Sequence, residues 1–537
     1  MQLSLSAHVD TFCRDNLPPA QDWPELKFTL PELAYPARLN CAAELLDATA
    51  QRYGADRPCL LSDAGTWSYA DLIRVSGQVA RVLTEDLRLV PGNRVLLRGP
   101  NNPWLVACWF GVLKAGGVVV TTMSLLRARE LATICEMARV SLALCDHRFT
   151  DELEAAGVEG LRTVSYGGPE PGDLARLAAA KPDGYDTVAT AADDVAMIAF
   201  TSGTTGRPKA TMHFHRDVLA IADTFSARVL KPGPDDIFTG TPPLAFTFGL
   251  GQLVVFPLRA GASALLIEKA TPAELADHIA ARGVTVCGTA PTAYRAMIAA
   301  GKAEQLRGLR RPVSAGEHLP AATWQAFYDA TGVKIIDGIG STEMLHIFIS
   351  SADDDIRPGA TGRVVPGYEA AVLDDEGKPV PDGQPGRLAV RGPTGCRYLA
   401  DDRQRRYVSD GWNLTGDTYI RDADGYYWYQ ARSDDMIISS GYNIAGPEVE
   451  EALLDHPDVA ECGVVGVPDP DRGQIVKAFV VLRDGVTADD AKAAELQDFV
   501  KQQIAPYKYP RAVEFLAALP RTNTGKLQRF RLRERAD

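Results

Sequence analysis

Nine cysteines are scattered from Cys13 to Cys462 and never form a C-x-x-C pair, so the chain offers neither a disulfide framework nor a zinc-binding spacing. A reducing cytoplasm is the expected compartment. The N-terminus, MQLSLSAHVD, lacks the basic start and apolar core of a signal peptide, and the longest apolar run, Trp104 to Leu113, falls short of a bilayer span. No membrane association is expected. Positive charge is also short: 56 Lys+Arg against 69 Asp+Glu give a net charge of -13 at pH 7. This disfavours a surface built for nucleic-acid phosphates or anionic lipid, so any anionic ligand must be gripped locally. There is no internal repeat and no low-complexity tract. Hydrophobic residues at 46%, charged residues at 23%, 47 Gly and 35 Pro exclude disordered, collagenous and coiled-coil classes. The 537 residues exceed one domain, and more than one compact unit is expected.

The first four hundred residues read as α/β. Short Val/Ile/Leu runs at Val95 to Leu97, Gly117 to Thr121, Val195 to Phe200, Ala264 to Ile267 and Lys334 to Ile336 alternate with helical patterns such as Tyr69 to Leu83 and Pro272 to Ala281. Buried parallel strands with crossover helices give this texture. From Gly362 shorter strands joined by D-E-G, P-D-G and D-A-D-G turns indicate an antiparallel, barrel-like section ending near Arg432. After Asp435 a small α+β pattern follows: strand Met436 to Ser439, helix Gly446 to Leu454, strands Glu461 to Val467 and Lys477 to Leu482, and helix Ala488 to Gln503. The expected division is a large N-terminal domain over residues 1–431, a hinge over 432–435 and a small mobile C-terminal lid over 436–537.

The strongest local signal is Thr201-Ser202-Gly203-Thr204-Thr205-Gly206-Arg207-Pro208-Lys209, between an apolar strand and a helical pattern starting near Arg216. Glycines let backbone N–H groups approach an anion, hydroxyls add donors and Lys209 adds compact positive charge, so the loop suits a polyphosphate. It is not a Walker A loop, whose glycine and lysine spacing differs.

With this loop the sequence resembles the adenylate-forming enzymes: acyl- and aryl-CoA synthetases, nonribosomal adenylation domains and firefly luciferases. Further elements in that family's order are Ser314-Ala315-Gly316-Glu317, Asp337-Gly338-Ile339-Gly340-Ser341-Thr342-Glu343, Thr415-Gly416-Asp417, Arg432-Ser433-Asp434-Asp435 and Pro520 to Lys526. The resemblance implies an AMP-forming ligase with ATP and CoA as co-substrates and Mg²⁺. It assigns the Thr201 to Lys209 loop, Ala315 to Glu317, Asp337 to Ser341, Asp417 and Arg432 to ATP or AMP. Glu343 beside Thr342 would hold Mg²⁺, which on ATP usually takes one or two carboxylates plus phosphates. If Asp424-Gly425 is a two-residue hairpin turn, Asp417 and Arg432 fall opposite one another. Lys526 would enter the site from the lid, pairing with the acyl carboxylate and the α-phosphate. Asp434 matches the hinge, and Gly441 would come to line a pantetheine tunnel once the lid turns.

Pro242 to Gly249 aligns with the family segment lining the acyl pocket, with Phe246 at the gate and Thr247 and Phe248 along the wall. With Gly340 and His346, these resemble benzoate-type aryl-CoA ligases, and Ser6 to Pro18 with Tyr35 to Glu44 look most like the 2-aminobenzoate (anthranilate) branch. Bulky rings favour a flat aryl acid over a long chain. Benzoate, hydroxybenzoates and halobenzoates stay open.

Two other functions share many of these residues. A stand-alone adenylation enzyme loading a carrier protein uses the same adenylation set, although no appended Gly-Gly-x-Ser segment is present. A non-catalytic nucleotide-binding regulator would lack Lys526 or Glu343, and both are here. A homodimer is compatible with the sequence. His213-Phe214-His215 has no third ligand spaced for a tetrahedral metal site and reads as a strand-to-helix position. The basic stretch Arg529 to Arg535 reads as a solvated helix face.

Overall fold

The computed structural model describes residues 3–201, 208–432, 436–520 and 529–535. Two sheets dominate the large unit. One has six strands in the spatial order Arg162–Tyr166, Leu142–Asp146, Arg94–Arg98, Val118–Thr122, β1 (Val195–Thr201) and β2 (Lys209–Phe214). All neighbours are parallel except β1 and β2. Arg94–Arg98, Val118–Thr122 and Leu142–Asp146 are buried throughout, as continuous Val/Leu runs require when helices cover both faces.

The second sheet has nine strands and contains β3 (Ile336–Gly340) and β4 (Ile347–Ser350) near one edge. Strand β3 runs parallel to Arg311–Ser314 and antiparallel to β4. One apolar cluster joins Val95, Val119 and Met197 of the first sheet to Phe238, Val286, Val313 and Ile336 of the second, through Val79, Leu105 and Phe225 of the intervening helices. Helix ends follow local rules. Ser68 and Asp71 form a capping box before Tyr69–Arg81, and Thr271 and Glu274 form another before Pro272–Arg282, which ends on the left-handed Gly283.

The antiparallel section is a five-stranded sheet containing β5 (Trp412–Arg421) and β6 (Tyr427–Arg432). Asp417 pairs with Arg432 as expected, but the turn differs. Arg421 faces Tyr427, one residue away from two-residue-turn register, and a bulge between Thr418 and Tyr419 restores the pairing beyond it. Asp422 causes this, because its carboxylate accepts from the Asp424 and Tyr426 N–H groups and from the Trp428 indole, closing a longer loop. The last unit has its own sheet, with Met436–Ser439, Tyr442–Ala445, Val459–Asp469, Gly473–Leu482 and Ala512–Phe515. Helices Gly446–Leu454 and Asp490–Gln503 supply Val449, Leu453, Leu496 and Val500 to its core.

Candidate functional site

A cleft of about 990 Å³ opens between the large unit and the last sheet. It brings together Thr201, Phe246, Thr247, Phe248, Ala315, Gly316, Gly340, Ser341, Thr342, His346 and Gly441. Of the other expected residues, Glu317, Asp337, Gly338, Ile339, Glu343, Lys209 and Asp417 are described but do not line it. Ser202 to Gly206, Asp434 and Lys526 lie outside the described residues. Arg432 is placed by its backbone pairing alone.

The carboxylate region is built where β3 turns back. After Glu343 the chain makes a tight turn and returns as β4. Met344 N–H donates to the Ser341 hydroxyl, Leu345 N–H donates to the Thr342 carbonyl, and Leu345 takes a positive φ of 69°, which a branched residue adopts only when its surroundings hold it there. His213 on β2 fixes the same turn by donating from Nε2 to the Thr342 carbonyl at 2.8 Å. Burial keeps the imidazole neutral, its pKa lowered to about 3. His213 and His215 are fully buried at the strand-to-helix junction.

Glu343 follows, 7% exposed. One oxygen, Oε1, accepts from the Tyr398 hydroxyl at 2.5 Å and lies 3.9 Å from Lys209 Nζ. Among the described residues, its second oxygen has no hydrogen-bond partner. A carboxylate with an oxygen left over from these contacts is a hard-oxygen donor that fits Mg²⁺. Burial pushes the Asp337 carboxyl up to about 8, against the opposing influence of the Ser314 hydroxyl and the Gly338 N–H.

The expected aryl residues divide between two ends of the cleft. At the inner end, the His346 ring is boxed by Phe256, Phe225 and Phe248 with centroids 4.5, 5.5 and 5.7 Å away. Burial lowers its pKa to about 3, with the Phe248 carbonyl acting weakly the other way, and neither ring nitrogen has a hydrogen-bond partner of normal geometry. Phe248 lies in the first turn of a helix that begins at Thr247 and passes through a π-helical turn over Gly251–Val255. A Cβ on Gly251 would sit 2.4 Å from His346 Cδ2, so only glycine admits the imidazole. At the outer end, Phe246 meets Tyr442 edge-on at 6.2 Å.

Tyr442 belongs to a hairpin whose two turn residues, Ser440 and Gly441, both have positive φ, 49° and 81°, as a primed two-residue turn demands. Its tip reaches the large unit: a Cβ on Gly441 would lie 3.4 Å from Ala290 Cβ and 3.8 Å from Glu317 Oε1. Burial raises Glu317 to about 7. Tyr398, Tyr407, Gly251 and Tyr442 were not singled out from the sequence. Gly249 and Gly251, two apart in a helical stretch, were the available sign of a close approach, whereas the tyrosines carried none.

The profile described as AMP-binding enzyme matches residues 46–398, and that of the AMP-binding enzyme C-terminal domain matches residues 448–526. Benzoate–CoA ligase of Thauera aromatica is 34% identical, over 94% of this chain and 98% of its own. The crystal structure of an anthranilate CoA ligase with anthranoyl-AMP superposes with a TM-score of 0.74 at 34% identity, covering 95% of this chain and 99% of that one. An amide bond synthetase of Marinactinospora thermotolerans superposes with a TM-score of 0.84 at 28% identity, covering 92% and 99%.

Proposed function

We propose that this chain, which belongs to the AMP-binding enzyme family, is an ATP-dependent aryl-CoA ligase acting on a small benzoate, with 2-aminobenzoate the leading candidate and benzoate the next. The observation that carries the reading is the inner end of the cleft. Three phenylalanines pack around a neutral His346 at this end, and both imidazole nitrogens lack a normal partner. A buried polar group without a partner favours a ligand that supplies one, which an ortho amino group does and a fatty acid does not.

In the first half-reaction the aryl carboxylate, already ionised near neutral pH, attacks the α-phosphorus of ATP. An aryl-AMP mixed anhydride forms and diphosphate leaves. The loop from Thr201 to Lys209 holds the phosphates, and Asp417 with Arg432 takes the ribose. Ala315 to Glu317 and Asp337 to Ser341 surround the nucleotide, and Lys526 neutralises the two anions as they meet. Glu343 beside Thr342 would hold magnesium, which when bound would offset phosphate charge. In the second half-reaction the CoA thiol loses its proton and attacks the acyl carbon, giving the thioester and AMP. The position of the Gly441 tip against Ala290 and Glu317 supports a lid already turned toward this step, with Asp434 at its pivot. Nine unpaired, buried cysteines fit work in the cytosol, and no helix among the described residues is long and apolar enough to cross a membrane.

The test is mass spectrometry of products from ATP, CoA and a panel of aryl and fatty acids. Aryl-CoA and AMP are expected, with 2-aminobenzoate and benzoate giving the highest kcat/KM. Octanoate or a longer acid surpassing every benzoate overturns the class. Aryl-AMP forming while CoA stays unconsumed favours a carrier-protein acceptor.

A further inference from the structure

Tyr398 is fully buried and lies outside the residues assigned so far. Its segment is bolted to β2, the strand that leaves the phosphate loop. Leu399 N–H donates to the Ala210 carbonyl and Met212 N–H to the Arg397 carbonyl, both at 2.8 Å, so residues 397–399 extend the sheet edge beside Lys209. The Gln404 side chain accepts from the Tyr398 N–H at 2.9 Å. Arg397, stacked on Phe214 at 4.0 Å, forms a buried ion pair with Asp217. With its backbone fixed at these points, the tyrosine has little freedom to follow its partners.

Those partners are two opposite charges that must not neutralise each other. Lys209 Nζ and Glu343 Oε1 stand 3.9 Å apart, beyond hydrogen-bond distance. Lys209 has been assigned to phosphate and Glu343 to a cation, and closure into a contact pair would remove both from their ligands. The Tyr398 hydroxyl donates to the oxygen of Glu343 that faces the lysine. Its ring, with that of Tyr407, stands 5.5 and 6.0 Å from Lys209 Nζ, within cation–π range. Tyr407 also hydrogen-bonds to the Ser341 hydroxyl of the same turn at 3.2 Å.

We propose that Tyr398 is a positioning residue that holds Glu343 apart from Lys209 and leaves the second carboxylate oxygen available to the magnesium of ATP. The inference rests on the reading of Glu343 as the magnesium carboxylate. Groups that orient a metal-binding side chain commonly matter about 10- to 100-fold in metal affinity. Tyr398→Phe keeps the ring and deletes the hydroxyl, so the packing of the aromatic wall is retained.

The experiment measures Mn²⁺ binding by electron paramagnetic resonance in the presence of a non-hydrolysable ATP analogue, for wild type, Tyr398→Phe, Glu343→Gln and the double variant. Tyr398→Phe is expected to weaken Mn²⁺ binding about tenfold and to raise the magnesium requirement of aryl-AMP formation. Conversion of supplied aryl-AMP to thioester, which needs no metal, should stay within about twofold. The double variant should bind Mn²⁺ no worse than Glu343→Gln alone, because the tyrosine acts through the carboxylate. Unchanged Mn²⁺ affinity in Tyr398→Phe, additive losses in the double variant, or equal losses in both half-reactions would overturn the inference while leaving the Glu343 reading intact. Retention of Mn²⁺ by Glu343→Gln would overturn that reading and the inference with it.

Discussion

Burial holds the imidazole of His346 neutral, with its pKa lowered to about 3, and this fixes how the aryl site responds to pH. Between pH 6 and 9 the ring keeps one donor and one acceptor, so the ratio of 2-aminobenzoate to benzoate turnover should stay flat; a break near pH 6.5 would show that the ring titrates as in water. The sign for stability follows from the same shift. The folded state refuses a proton that the unfolded state takes, so this group's contribution is intact above pH 6.5 and is lost as pH falls from 6.5 toward 3. His346→Gln should therefore have a shallower stability loss in that window, by up to about 1.4 kcal/mol per pH unit, read from urea midpoints. His346→Ala should lower kcat/KM for 2-aminobenzoate more than for benzoate, by roughly 1 to 3 kcal/mol if the ortho amino group loses its partner. Equal losses would leave His346 a packing role only. Gly251→Ala tests the same box from behind, since its Cβ would meet the imidazole at 2.4 Å. KM for every benzoate should rise, and an unchanged KM would mean that the π-helical turn yields.

At the scale of elements, the hairpin tip at Ser440-Gly441 is where a turn rule and a functional demand coincide. Gly441 needs positive φ and faces Ala290 across 3.4 Å, so Gly441→Ala suffers from both backbone strain and crowding, about 1 to 3 kcal/mol together. Thioester formation from supplied aryl-AMP should fall roughly tenfold or more, while ATP–diphosphate exchange stays near wild type; equal loss in both would remove the tip from the second half-reaction. The first strand of this hairpin, Met436–Ser439, was legible in the sequence, whereas its partner Tyr442–Ala445 was not. The turn after Glu343 was not legible either: His213 and Ser341 anchor it from β2 and from within, and such long-range partners leave no periodic trace. The Asp417–Arg432 pairing came out of a mistaken turn, since the Asp422-closed loop and the bulge offset each other. Tyr398 escaped sequence reading because its meaning arises only when segment 397–399 is laid against β2.

Across the whole molecule, the two units meet through charge as well as through the cleft. Lys508, 5% exposed, donates to Glu130 of the large unit and to Glu448 of its own, each at 2.6 Å, and Arg129 pairs with Asp455 at 2.7 Å. Glu130 also accepts from the Ala505 N–H. Only Glu130 and Arg129 come from the large unit, so these contacts belong to this relative orientation of the lid. Glu130→Gln leaves Lys508 short of a charged partner, and breaking a buried pair typically costs about 3 to 5 kcal/mol. That is enough to shift a two-state lid by two or more orders of magnitude in population. With Gly441 at the cleft in this orientation, aryl-AMP should form at the normal rate in Glu130→Gln and accumulate, while its conversion to thioester slows. Lys526→Ala should do the reverse, blocking aryl-AMP formation and sparing thioester synthesis from supplied aryl-AMP. Single-turnover quench-flow on both variants separates the halves. The opposed lesions require a lid that serves the two reactions from two positions. Undiminished thioester formation in Glu130→Gln would mean that the Lys508 contact follows the lid rather than holding it, and parallel losses in both variants would mean that one fixed arrangement performs both steps.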